Sequence, residues 1–182
     1  PNPYLALVPK PPAMSVNSGL SASTNKLMLG LFGAPSNKKT RDCGPVTNPQ
    51  LKRALVTRSV GPFRVTGHRA AVNSLEQILA AVKAKEPQLY AMLGSAGMLC
   101  CRLVRGSTSS WSNHSWGFAI DITVGGELDQ RGDDQVLAGM LALYKYFHAA
   151  GWYWGVEFPI EDAMHFEVAA ETLKTWHAEG KL

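Results

Sequence analysis

Apolar positions recur along the 182-residue chain in two periods, and the alternation between them marks most of its elements. Val72, Leu75, Ile78, Leu79 and Val82 follow a helical period, the stripe of an amphipathic helix that Pro87 ends. Val136, Leu137, Met140, Leu141, Tyr144 and Phe147 predict a second helix, capped by Asp133 or Asp134 and terminated at Gly151. A third is predicted from about Ala170 to Ala178, stopped by Gly180, and a short one through Leu27, Leu29, Leu31 and Phe32, opened by Thr24 and closed by Gly33 and Pro35. A strand-like pattern appears instead at Phe63–Thr66, ended by Gly67, at Gly117–Val124 and at Met164–Val168. Met98–Val104 has the continuous apolar bias of a buried strand, and Gly106–Ser110 reads as a loop. Pro1 to about Ser23, with Pro3, Pro9, Pro11 and Pro12 and no period, predicts an extended arm, and Pro45 and Pro49 keep the next segment irregular. The pattern predicts an α+β fold, with helices packed on one face of a small, largely antiparallel sheet. It divides the chain into a 1–55 arm with one short helix and a 56–182 domain.

Composition changes this picture in two places. With 46% hydrophobic and 18% charged residues the chain suits a single packed core, which excludes a disordered or collagen-like protein. Charge is distributed unevenly: residues 1–60 hold eight basic residues against Asp42 alone, a net +7, and the remainder holds ten against thirteen acidic ones, a net −3. A nucleic-acid partner is not expected, because the candidate chemistry lies in the acidic part. No apolar run approaches the roughly 18 to 20 residues of a membrane span. The chain opens on Pro1 without a Met, as a processed product would. Cys43, Cys100 and Cys101 form no CxxC spacing, so neither a thiolate zinc site nor a dense disulfide framework is expected. A single bridge from Cys43 to either of the adjacent pair stays open.

Candidate chemistry concentrates in two segments. In Ser112-Asn113-His114-Ser115-Trp116-Gly117-Phe118-Ala119-Ile120-Asp121, His114 enters a predicted strand and Asp121 lies within it. Alternation sends Phe118, Ile120 and Ile122 to the core, and Gly117, Ala119 and Asp121 to the other face. In Asp162-Ala163-Met164-His165-Phe166-Glu167, the same logic separates Met164 and Phe166 from His165 and Glu167. If the strands are neighbours, His114, Asp121 and His165 converge. Two imidazoles and one carboxylate with a fourth position open form the ligand set of a catalytic zinc. A carboxylate beside the ligands would serve as general base, Asp162 being the better candidate and Glu161 its rival. Glu167 would accept the other imidazole N–H of His165. Arg102 and Arg105, at the end of the predicted Met98–Val104 strand, would face the negative charge developing on a substrate carbonyl.

The Ser-x-His-x-x-Gly-x-Ala-x-Asp pattern, joined to Trp154-Gly155 and to Asp162–Glu167, resembles the zinc D-Ala-D-Ala carboxypeptidase and L-Ala-D-Glu peptidase family of peptidoglycan enzymes. That family includes phage endolysins and shares its fold with the hedgehog signalling domain. The resemblance covers roughly Val60 to Ala178. It implies one Zn2+ on His114, Asp121 and His165, a catalytic carboxylate at Asp162, Arg102 for the substrate carbonyl and Ser112 for binding substrate. It also implies a peptidoglycan stem peptide as partner, and a periplasmic, secreted or otherwise wall-delivered protein, phage lysin and exported toxin included. The alternative is a binding module of the same zinc fold without catalysis. A monomer is expected.

Simpler readings accompany these. Trp111, Trp116, Trp152 and Trp154 flank the motifs, and serve either as a wall for substrate, Trp154 foremost, or as core. His68, His148 and His177 read as surface or helix-end residues. Ser112 lacks an oxyanion motif and is not expected to act as a nucleophile, and Arg131-Gly132-Asp133 reads as ordinary helix capping.

Overall fold

The stripe from Val72 to Val82 forms the longest helix of the computed structural model, which describes residues 1–182. In chain order the elements are β1 (Leu7–Pro9), α1 (Asn25–Phe32), α2 (Pro49–Ala54), β2 (Leu55–Ser59), β3 (Arg64–His68), α3 (Arg69–Lys85), α4 (Pro87–Met92), β4 (Leu93–Gly97), β5 (Ala119–Val124), β6 (Gln135–Leu137), α5 (Ala138–Ala149), β7 (Trp152–Trp154), β8 (His165–Val168) and α6 (Ala170–Ala178). Single 3-10 turns occur at Pro3–Leu5, Asn113–Trp116 and Gly155–Glu157. The central sheet has the order β4-β5-β8-β7 and is antiparallel throughout, and β1-β6 and β2-β3 form two small antiparallel pairs. The fold is α+β, as the apolar pattern predicts.

Alternation gives the central sheet two unlike faces. Ile120 and Phe166 are Cα partners across β5 and β8 and are fully buried. On that side α5 packs through Phe147, whose ring stacks on Phe166 at 4.1 Å. Helix α3 reaches the sheet through Ser74, which accepts a hydrogen bond from Trp152 Nε1. On the opposite face the register sets Asp121 directly against His165 and Ala119 against Glu167. Ala119 thus leaves room where the polar side chains meet.

Several elements differ from the sequence expectation. Met98–Val104 is not a strand. The strand is Leu93–Gly97, and the apolar residues after it are held by isolated bridges, Gly44 to Cys101 and Leu103 to Trp111. Val136 and Leu137 belong to β6, so α5 begins only at Ala138, with Leu137 and not Asp133 or Asp134 at its N-cap. His114 does not enter a strand: it sits in the Asn113–Trp116 turn. Neither α2 nor α4 has a long stripe. Each is a six-residue helix started by a proline, Pro49 and Pro87, in its first turn.

The first 55 residues contribute Val16, Met28 and Leu51 to the same buried cluster as the sheet and α3. The segment before α1 follows the domain surface through specific bonds. Strand β1 pairs with β6, Ala170 N–H donates to Ser21 O, and buried Asn17 exchanges hydrogen bonds with both backbone groups of Trp154. Of the two open pairings, the disulfide is Cys43–Cys100, and Cys101 is a buried free thiol. That bridge ties the basic segment to the strap behind His114, whose carbonyl accepts from Cys100 N–H at 3.1 Å.

Candidate metal centre

His114 is positioned by a single turn closed at both ends. Ser112 Oγ accepts from His114 N–H at the start, and Gly117, with φ 76°, ends it in the left-handed region. Glycine is required there for a second reason: a Cβ would lie 2.4 Å from His68 N and 2.9 Å from Gly67 Cα. Trp116 anchors the turn, buried, with its Nε1 donating to Gly33 O at the end of α1. Asp121 and His165 need no such device, because their strands are in direct register.

These three side chains come together. His114 Nε2 lies 3.4 Å from Asp121 Oδ2, and His165 Nδ1 lies 3.4 Å from Asp121 Oδ1. The two imidazoles meet edge to face with centroids 5.0 Å apart. One donor atom from each residue falls within 4.8 Å of the others. The remaining ring nitrogens are committed elsewhere. His114 Nδ1 is 2.7 Å from Met98 O, which only accepts, so Nδ1 carries the proton and Nε2 its lone pair. His165 Nε2 is 2.8 Å from Glu167 Oε1, which leaves the Nδ1 lone pair turned to Asp121. Asp121 Oδ1 is buried without a hydrogen-bond partner.

Two lone pairs and a carboxylate aimed at one point repel unless a cation or a proton lies among them. Without a metal a proton answers: burial alone would lower His165, but the nearby Asp121 carboxylate and the hydrogen bond to Glu167 outweigh it and raise its pKa. Burial likewise would raise the Asp121 carboxyl, and the two imidazoles hold it well below the usual carboxylate range. Glu167 is itself fixed, its Oε2 accepting from Ser23 N–H at 2.9 Å and from Asn113 Nδ2 at 2.8 Å.

The three residues open onto a cleft of about 480 Å³. Asp162 lines it, half-buried, with Oδ1 unpartnered. Burial, with Asp121 nearby, raises its pKa, although His165 pulls the other way. Arg102, Arg105 and Ser112 are on the wall as well. Two of the expectations fail here. Trp154 is fully buried, its Nε1 donating to Ala163 O, so it is core and touches no substrate; Trp111, Trp116 and Trp152 are buried too. His68 is a helix-end residue but not a surface one. Its Nδ1 caps α3 by accepting from Ala70 N–H, its ring stacks on Phe118 at 4.5 Å, and burial, then Arg69, lowers its pKa to about 4.

Residues 105–168 match the D-alanyl-D-alanine carboxypeptidase family model. The resemblance carried by the two motifs holds over that segment, which contains His114, Asp121, Asp162 and His165 together. Comparison with curated proteins and with solved structures gave no significant match. The matched segment points to metallopeptidase chemistry, and no helix of the chain is long and apolar enough to cross a membrane.

Sequence reasoning missed what completes the cleft. Arg131, read as part of a capping triplet, adds a third guanidinium. Ala22, Ser23 and Asn25, from the segment without a motif, also line it, and Asn25 Oδ1 accepts from Trp111 N–H. The Trp154-Gly155 dipeptide has a structural reason: a Cβ on Gly155 would lie 2.8 Å from Asp162 O.

Proposed function

We propose that the protein is a zinc-dependent hydrolase of the peptidoglycan stem peptide, with His114, Asp121 and His165 holding one Zn2+ and Asp162 acting as general base. The observation that carries this reading is the pair of imidazole lone pairs, each oriented by a partner on its far nitrogen, converging on the two oxygens of the Asp121 carboxylate. That donor set fits zinc: two nitrogens and one carboxylate, with the cleft beside them for a fourth ligand. When bound, such an ion supplies Lewis acidity, lowering the pKa of water to about 7 and polarising a carbonyl.

The protein's own groups do the rest. Asp162, with its pKa raised by burial, takes the proton of the attacking water and returns it to the leaving amine. Arg102, held by its Nη1 bond to Leu103 O at 3.0 Å, faces the cleft and offsets negative charge on the substrate carbonyl oxygen. Ser112 and Arg105 hold substrate, and the three guanidiniums on the wall suit a peptide rich in carboxylates. Glu167 keeps His165 in the tautomer that presents Nδ1. The Cys43–Cys100 bridge supports an oxidising location such as the periplasm or exterior, where the wall lies.

The test is metal removal on purified sacculi. Chelation is expected to stop the release of new amino groups, and stoichiometric Zn2+ to restore it. A zinc-loaded protein that binds sacculi but releases no amine would instead mark a binding module of the same fold.

A further inference from the structure

A second group of carboxylates stands outside the residues assigned to the metal centre. Asp129 and Asp133 lie on the loop from β5 to β6, and Glu161 immediately precedes Asp162. One oxygen from each falls within 4.8 Å of the others. Asp129 and Glu161 are each 1% exposed. Half of each buried carboxylate is satisfied by backbone: Asp129 Oδ2 accepts from Leu137 N–H at 2.7 Å, and Glu161 Oε1 from Asp133 and Asp134 N–H at 2.7 and 3.1 Å. The other halves, Asp129 Oδ1 and Glu161 Oε2, are buried with no hydrogen-bond partner. No lysine, arginine or histidine pairs with any of the three; Lys10 is taken by Asp134 at 2.7 Å.

Two buried, unpartnered carboxylate oxygens beside a third carboxylate require a positive partner. We propose that Asp129, Asp133 and Glu161 bind a Ca2+ ion, separate from the zinc, that ties the β5–β6 loop to the segment carrying Asp162. The donors are all oxygen, which disfavours zinc, and their spread matches oxygens lying about 2.4 Å from one Ca2+. Mg2+ fits less well, because it keeps most of its waters and uses one or two carboxylates. Burial and the neighbouring carboxylates raise Asp129 to about 6, the same unbalanced charge seen from another side. The ion's effect on Asp162 rests on the proposed peptidase reading; the site itself does not.

The experiment titrates Ca2+ calorimetrically into the zinc-loaded full chain in calcium-free buffer and follows thermal unfolding and amine release from sacculi in parallel. One Ca2+ per chain is expected, with Kd in roughly the micromolar to millimolar range, together with a rise in Tm and faster amine release. Asp129→Asn should weaken Ca2+ binding at least about ten-fold, as should the half-buried Asp133→Asn, whose fold is checked by circular dichroism. Absence of both Ca2+ heat and Tm shift in the parent chain overturns the proposal and assigns the pair a shared proton. Ca2+ binding unchanged in both variants overturns the location, and heat with Mg2+ alone overturns the choice of ion. An active protein without Ca2+ binding removes this site and leaves the peptidase standing; Ca2+ binding in an inactive protein does the reverse.

Discussion

His114, Asp121 and His165 differ from Asp129, Asp133 and Glu161 in how their outward atoms are held. In the first group the far nitrogen of each imidazole meets an oxygen, and one of those oxygens, on Glu167, belongs to a carboxylate itself held by Ser23 and Asn113. Two of the residues stand on paired strands, and the third on a turn locked by Gly117. In the second group the fixed points are backbone amides, those of Asp133 and Asp134 in the β5–β6 loop and that of Leu137 at the end of β6. The first arrangement is oriented by paired strands and a locked turn, whereas the second depends largely on loop backbone holding its place. Preorganisation of this kind suits catalysis, where misplaced ligands are costly in rate.

The comparison can be broken most strongly at Asp162, which stands next to Glu161 in sequence and lines the cleft of the first group. Asp162→Asn is expected to keep its zinc while losing about 10²- to 10⁴-fold in turnover, read by metal content and amine release. Full activity in that variant would exclude Asp162 as the base. Gly117→Ala attacks the rigidity itself. A left-handed φ combined with contact against His68 N is expected to cost about 3 kcal/mol or more in urea unfolding, and an unchanged midpoint would show that the turn tolerates a side chain.

His68, packed behind that turn, gives the comparison a pH signature. Its folded pKa of about 4 lies below the ordinary 6.5, so it is neutral in the folded protein while the unfolded chain takes up a proton as pH falls. The stability it supports is complete above 6.5 and is lost as pH falls through 6.5 to about 4, on the order of 3 kcal/mol in all. Across that range the parent should lose about this much more stability in urea unfolding than His68→Phe; parallel curves would contradict it. The smallest effect is expected from Glu167→Gln, which leaves every proposed zinc ligand in place but weakens the hold on His165. Zinc affinity should fall about 10- to 100-fold, measured by competition with a chromogenic chelator.

The same contrast explains what was legible in the sequence. Asp121 and His165 could be read from alternation alone, because a two-residue period in adjacent strands decides which side chains share a face. His114 was found for a partly wrong reason: a 3-10 turn, rather than a strand entrance, delivers it to the same point. Glu161 was read as a rival base because it lies close to His165 in sequence; its companions Asp129 and Asp133 are brought to it only by the loop's path. The N-terminal segment has no period because Asn17, Ser21 and Ser23 hold it by hydrogen bonds, not by an apolar stripe. The +7 charge of residues 1–60 does not describe a detached arm either, since Met28 and Leu51 of that stretch lie in the core. Strand β4, Leu-Gly-Ser-Ala-Gly, is poor in strand formers, and pairing with β5 overrides its composition.

Mass analysis of muropeptides from sacculi treated with the zinc-loaded protein tests the central claim most directly. The account predicts new fragments lacking one terminal D-Ala, or cut between L-Ala and D-Glu, absent with Asp162→Asn. A muropeptide profile unchanged from untreated sacculi, with zinc bound and the fold intact, would contradict it.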